Sequence, residues 1–191
     1  EAIEPFKGRL LLGLTVVLGL FSGLAASGEW GRFLQWRNST PFGMTDPQFG
    51  LDVSFYTFEL PFLKFLLGFA FAATFIALVL AVVVHYLFGG LRLQPKGDRA
   101  TTAAQVQISI TVAIFLFLKA IAYWVDRYDL VIQSSDLAGG FTGLQYTDVN
   151  AKIPALNILT FVALLVAVLF LFNAFRRQWI IPLIGLALMV L

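Results

Sequence analysis

The sequence contains no cysteine and a single histidine, His85, and only 13% of its 191 residues are charged. An ordinary soluble domain carries about 25%. The missing thiols exclude disulfides, thiol nucleophiles and thiolate metal sites, and one histidine excludes a multi-histidine metal centre within the chain. The scarcity of charge excludes a water-soluble fold. A net charge of +2 with no long basic stripe argues against nucleic acid as a partner. What is present is apolar: 59% of residues, twenty of them Phe, with a mean hydropathy of +0.86. Such a chain is not disordered. The solvent it suits is the lipid bilayer, and the expected fold class is an all-α membrane protein, a polytopic transmembrane helix bundle.

A helix rises about 1.5 Å per residue, so crossing a hydrocarbon core about 30 Å thick takes about 20 mainly apolar residues. Runs of this kind cover residues 10–27, 62–88, 103–124 and 153–175, and a fifth begins at 179 and is still apolar at Leu191. About five spans are therefore expected, the last cut short, which reads as part of a longer protein. A secretory signal is an alternative for the first run, with Lys7 and Arg9 as the basic region and Ala25 and Ser27 as the small cleavage residues. The run exceeds the usual signal core of 7 to 15 residues. Gly19 and Gly23 form a GxxxG pair of the type that lets membrane helices approach closely.

Basic residues in short connections favour the cytoplasm. Lys7 and Arg9 precede the first span, Arg92, Lys96 and Arg99 lie in the connection 89–102, and Arg176 and Arg177 lie in 176–178. These sides are assigned to the cytoplasm. Connection 28–61 sets Arg32 and Arg37 against Glu29, Asp46, Asp52 and Glu59. Connection 125–152 sets Arg127 and Lys152 against Asp126, Asp129, Asp136 and Asp148. Their acidic excess places both outside. The expected location is a plasma membrane, entered from the cytoplasmic side and left on the outer side.

The outer connections are long enough to carry structure. Trp30, Phe33, Leu34 and Trp36, with Arg32 and Arg37 among them, predict a short helix lying in the outer interface. Phe49, Leu51, Val53 and Phe55 alternate with Gly50, Asp52 and Ser54, which predicts an extended stretch. Glu59 and Pro61 read as a helix start. Gly139, Gly140 and Gly143 mark turns, without the GK[ST] of a phosphate loop. Gly89 and Gly90 turn the inner connection, and Thr101 or Thr102 can cap the third span, whose first turns carry Gln105 and Gln107.

Lys119 is the sharpest single feature, because a charge at the centre of a span costs about 2.5 to 3.5 kcal/mol on insertion scales. Three readings stay open. Its stem can snorkel outward, it can pair with Glu59 or Asp126, or it can serve an ion or proton path. His85 lies near the inner end of the second span. It reads either as an interfacial histidine bonded to a backbone carbonyl or as a pH-sensing group. Asp46, Asp52, Asp126, Asp129 and Asp148 invite a calcium hypothesis, but their spacing is not that of an EF-hand loop. Salt bridges and helix caps are the plainer reading. Asn38-Ser39-Thr40 is a glycosylation acceptor only in a eukaryotic secretory setting. No catalytic residue, metal ligand or cofactor is expected.

The stretch from Phe42-Gly43-Met44-Thr45-Asp46-Pro47-Gln48-Phe49-Gly50-Leu51-Asp52 through Phe55-Tyr56-Thr57-Phe58-Glu59-Leu60-Pro61-Phe62 resembles uncharacterised protein family 182 (UPF0182) of actinobacteria and cyanobacteria. Colinear stretches at His85–Gly90, Leu118–Tyr128, and Phe141–Gly143 with Tyr146–Ala151 resemble the same family. The resemblance implies a larger protein with about seven N-terminal spans followed by an extracytoplasmic domain. This chain would supply the third to seventh spans. No activity and no catalytic residues come with it.

Three functions compete. The first is a membrane platform that anchors an outer domain, with the bilayer, the rest of its own chain and envelope proteins as partners. The second is a transporter or channel subunit, which needs ionisable residues facing a cavity. The third, an intramembrane enzyme, lacks a nucleophile, carboxylate pair or metal set at membrane depth.

Overall fold

The computed structural model of the chain describes residues 4–91, 100–133, 143–176 and 187. Among them five α-helices follow in order: α1 Glu4–Ser27, α2 Trp30–Arg37, α3 Leu60–Leu87, α4 Thr102–Ile132 and α5 Ile153–Arg176. No strand occurs among the described residues, only isolated antiparallel bridges between Thr45 and Asp52 and between Leu91 and Ala100. The fold is all-α. The predicted fifth span at 179–191, the basic residues Arg92, Lys96, Arg99 and Arg177, Asp136, and the turns at Gly139 and Gly140 lie outside the described residues.

π-helical turns at Phe55–Glu59 and Asp148–Lys152 run directly into α3 and α5. Three stretches, Phe55–Leu87, Thr102–Ile132 and Asp148–Arg176, are long and apolar enough to cross a membrane. Leu12–Ser27 and α2 meet that criterion only together, bent by 49°.

Both π turns end two residues before a proline, Pro61 and Pro154, and the backbone explains the pairing. Proline lacks an N–H and its ring crowds the carbonyl four residues back. In the π turns the N–H of Leu60 bonds Phe55 O and that of Ile153 bonds Asp148 O, a five-residue reach. The wider turn gives the proline ring room. Pro61 lies in the first turn of α3, as expected, but helical backbone already begins at Val53. The extended stretch expected over residues 49–55 shrinks to the bridge at Asp52 for the same reason.

The chain divides into two compact units, Glu1–Phe62 and Leu63–Leu191. In the first, α2 occupies the stretch expected to form a short helix, and its aromatic side covers a neighbour: Trp36 stacks on Phe62 at 4.7 Å between ring centroids. Arg32 pairs with Glu29 at 3.0 Å. A side chain at Gly19 or Gly23 would meet nothing within 4 Å, so the GxxxG pair forms no packing seam among the described residues.

The seam is built instead from alanines in the second unit. Ala113 and Leu116 of α4 pack against Val166, Ala167 and Phe170 of α5, and Ala120 and Ala163 are also buried. Small side chains at helical spacing let the two antiparallel backbones approach closely, the main source of helix association where lipid replaces water. Polar pairs mark both ends of the seam. Asn173 donates from Nδ2 to Ser109 Oγ at 2.9 Å, and Arg127 donates to Asn157 Oδ1 at 2.8 Å. Towards α3 the contacts come from long side chains: Lys64 with Asp129, Phe71 with Phe115 at 5.1 Å, and His85 with Gln107 at 3.0 Å.

The Ser109–Asn173 pair yields a first prediction. Asn173 is 1% exposed, and its Oδ1 has no hydrogen-bond partner among the described residues. Ser109→Ala is expected to cost about 1 kcal/mol in unfolding from mixed micelles, near the upper part of the range for interhelical hydrogen bonds in membranes. Adding Asn173→Leu should recover most of that loss, since removing both partners of a buried hydrogen bond is close to neutral.

Candidate functional site

α4 runs beyond the expected span. Residues 125–132, read from the sequence as an outer loop, complete its last two turns. Asp126, Arg127 and Asp129 are therefore helical, and the 3.6-residue period sets Lys119, Asp126 and Gln133 on one face. The helix continues because Val125 and Leu130 are buried and anchor these turns to the unit.

Arg127 is a buried charge, only 8% exposed. Its Cζ lies 3.4 Å from the centroid of the Trp124 ring and 5.4 Å from that of Tyr128. Nε donates to Trp124 O at 3.1 Å, and Nη1 donates to Asn157 Oδ1 at 2.8 Å. A guanidinium is suited to this place because its planar fork can donate in the ring plane while its face stacks on an aromatic.

Beside this clasp a groove of about 400 Å³ lies between the end of α4 and the start of α5. It is lined by Asp126, Asp129, Leu130 and Gln133 on one wall and Lys152, Ala155 and Leu156 on the other. Lys64 pairs with Asp129, and Lys152 pairs with Asp148 at 2.7 Å. Asp126 forms neither hydrogen bond nor ion pair with a described side chain, although Asp129, Lys64 and Lys119 lie within electrostatic reach. In this groove sequence-selected residues, Asp126 and Asp129, coincide with a cavity.

Lys119 and Asp126 share a face but do not form an ion pair. Lys119 instead holds its Nζ 4.4 Å from the centroid of the Tyr123 ring, one turn nearer the C-terminal end of α4. The stem reaches along the helix towards its end, as a snorkelling lysine does. Lys119→Met is accordingly expected to lower stability by no more than about 1 kcal/mol, the scale of one partly exposed cation–π contact. Chemical unfolding in detergent checks it. Glu59 closes the π turn of the first unit.

His85 sits at the other end of α3. Its ring pairs through Nε2 with Gln107 Oε1 at 3.0 Å rather than with a backbone carbonyl. A Cβ at Gly90 would come within 2.8 Å of His85 Nδ1, so the turn needs glycine there. Thr101 caps α4, accepting from Ala104 N.

The other aspartates close a loop in the first unit. Asp46 Oδ1 accepts from Gln48 N at 2.9 Å, and its Oδ2 accepts from Phe49 N at 2.9 Å and Tyr56 Oη at 2.8 Å. Asp52 accepts from the N–H groups of Phe42, Gly43 and Ser54. Gly43 and Gly50 take positive φ values of 74° and 67°, which this tight path requires. Burial pushes the Asp46 carboxyl up, but the donors from Gln48, Tyr56, Phe49 and Leu51 outweigh it and hold the group below its ordinary value. The N–H groups of Phe42 and Ser54, with the Ser54 hydroxyl and Gly43, bring Asp52 down to about 2. These carboxylates serve the backbone, and no group of three or more His, Asp or Glu among the described residues could hold a metal ion.

Reading the sequence missed Arg127 as a buried group, the Lys64–Asp129 pair and the acceptor role of Asn157. The available signal was periodicity: Asp126, Asp129 and Gln133 fall at i, i+3 and i+7.

Helices of this length and apolarity, joined along an alanine seam and bounded by polar ends, define an all-α polytopic membrane protein. The chain belongs to the family described as Uncharacterised protein family (UPF0182), whose pattern matches residues 1–191. It is 51% identical over 191 residues to a UPF0182 protein of Streptomyces coelicolor, covering 99% of this chain and 19% of the relative. It is 49% identical over 189 residues to one of a Nocardioides species, covering 99% and 18%, and 47% identical over 191 residues to one of Frankia alni, covering 100% and 18%. The chain thus spans less than a fifth of the length of these relatives. No solved structure matches it.

Proposed function

We propose that this chain is a membrane-embedded platform of a larger bacterial envelope protein, holding an extracytoplasmic domain at the outer face of the plasma membrane. It acts without chemistry of its own, and its partners are the bilayer, the remainder of its own chain and proteins of the envelope. The observation that carries the reading is the distribution of charge about the apolar runs: basic excess at one set of ends, acidic excess at the other, and little between. The relatives' greater length supports a further domain. Local engagement of the polar side chains supports a platform over a transporter. Thr160 donates to Leu156 O, Asn157 accepts from Arg127, and Lys119 lies against Tyr123. A transport path would need such groups to face water.

Because this chain has no cysteine of its own, cysteines introduced into it report its topology once any elsewhere in the intact protein are replaced. Single cysteines at Ser39 and Thr147 of the intact protein should react with a membrane-impermeant maleimide on whole cells, and one at Thr101 only after permeabilisation. The reverse pattern overturns the orientation. Depleting the intact protein should alter envelope composition and co-purifying envelope proteins. Restoration of a depletion phenotype by a version lacking the outer domain overturns the platform role.

A further inference from the structure

We infer that the groove between the end of α4 and the start of α5 binds a bilayer lipid through a zwitterionic headgroup that carries a primary ammonium, the phosphoethanolamine type. At about 400 Å³ the groove falls within the usual range for small-ligand sites. Its polar groups are separated by sign. The α4 wall presents the carboxylates of Asp126 and Asp129, and the opposite wall presents the ammonium of Lys152. Leu130, Ala155 and Leu156 supply an apolar lining beside them. A soluble ion has no use for that lining, whereas the glycerol end of a lipid does.

Charge balance selects the headgroup. Asp129 is offset by Lys64 and Lys152 by Asp148, and Asp126 lies within electrostatic reach of Lys119. Counting the charged lining residues and these partners, three carboxylates face three ammonium groups, while Arg127 lies outside the lining against Trp124 and Asn157, so a ligand of net charge would leave an excess in the groove. A zwitterion leaves none. Its ammonium meets Asp126, the one carboxylate of the groove without a hydrogen bond or ion pair among the described residues, and its phosphate meets Lys152. The ammonium must be primary: three N–H donors can bond a carboxylate, and a trimethylated nitrogen has none. A divalent cation is disfavoured because the groove does not assemble three carboxylate or imidazole groups.

The test uses the intact protein purified in detergent, presented with equimolar phosphatidylethanolamine, phosphatidylcholine and phosphatidylglycerol of matched chains, with retained lipid counted by native mass spectrometry. Phosphatidylethanolamine should be retained about tenfold over the other two, the scale of one charge-assisted hydrogen bond. Asp126→Asn should remove that preference, and Ala155→Phe, which fills the groove without changing charge, should remove retention. Both variants should keep the lipid-free unfolding midpoint of the parent. Equal retention of the three lipids, or an Asp126→Asn protein that still prefers phosphatidylethanolamine, overturns the assignment. Water-soluble phosphoethanolamine should compete only at far higher concentration. Competition at the same concentration as the lipid overturns the lipid as the occupant.

Discussion

Arg127→Ala is expected to lower the stability of the α4–α5 pair by about 3 kcal/mol, which makes it the most damaging single substitution in the second unit. Three losses combine. A desolvated guanidinium over an aromatic face contributes about 2 kcal/mol or more, and Cζ lies 3.4 Å from the Trp124 centroid. Asn157 Oδ1 loses its donor, at a cost of about 1 to 3 kcal/mol for a buried group. The apolar stem, in a residue only 8% exposed, leaves a void. These terms overlap, so the sum is smaller than its parts. Arg127→Lys should recover little, because a lysine cannot stack flat on Trp124 while donating to both Trp124 O and Asn157. Unfolding in mixed micelles, followed by circular dichroism, measures each variant. In the double variant with Asn157→Ala the loss should fall short of additivity by about 1 kcal/mol. A cost for Arg127→Ala within about 0.5 kcal/mol, the range of ordinary surface changes, would show that the clasp does not hold the helices together.

The same residue marks where the sequence stops being legible. Long apolar runs are a statement about solvent, so the three spanning stretches could be located from composition and length alone. Their ends could not. Asp126, Arg127 and Asp129 look like a polar loop because in water a cluster of charges ends an apolar helix. Here the helix continues to Ile132, since Val125 and Leu130 remain buried and the charges find Trp124, Asn157 and Lys64. Partners distant in sequence decide that, and no local pattern reports them. Asn157 and Asn173 were similarly hidden, single amides inside runs of Leu, Val and Phe. The π turns left only an indirect sign, a proline two residues after the end of each. The register of the backbone before that proline is set by hydrogen bonds that composition does not encode. The Gly19–Gly23 pair meets nothing within 4 Å among the described residues. Small residues allow close approach but do not supply a partner, and the close approach occurred at Ala113, Ala120, Ala163 and Ala167.

In the first unit the largest effect is expected at Asp46, which is 7% exposed and accepts from two backbone N–H groups and the Tyr56 hydroxyl. Asp46→Ala removes the acceptor of three donors at once. Hydrogen bonds to a charged group contribute about 1.5 to 3 kcal/mol each, and partial resolvation of an opened loop returns part of that. A net loss of about 3 kcal/mol is expected, equivalent to about hundredfold faster amide exchange at Gln48 and Phe49. Asp46→Asn keeps one oxygen acceptor and should accelerate exchange less. Tyr56→Phe removes one donor only and should fall below both. The loop should also respond to acid in a defined direction. A carboxyl held below its unfolded value stabilises the folded loop above that unfolded value, near 3.9 for aspartate, and the contribution fades as pH falls through the folded value. Asp46 is lowered, and Asp52 is lowered to about 2. Protection of the Gln48, Phe49 and Ser54 amides should therefore be flat from neutral pH to about 4, and then decline down to about pH 2 once intrinsic exchange is normalised. The Asp46→Asn protein should lose less protection across that interval, since only Asp52 then titrates in the loop. An equal decline in both proteins would mean that Asp46 does not hold the loop through its charge.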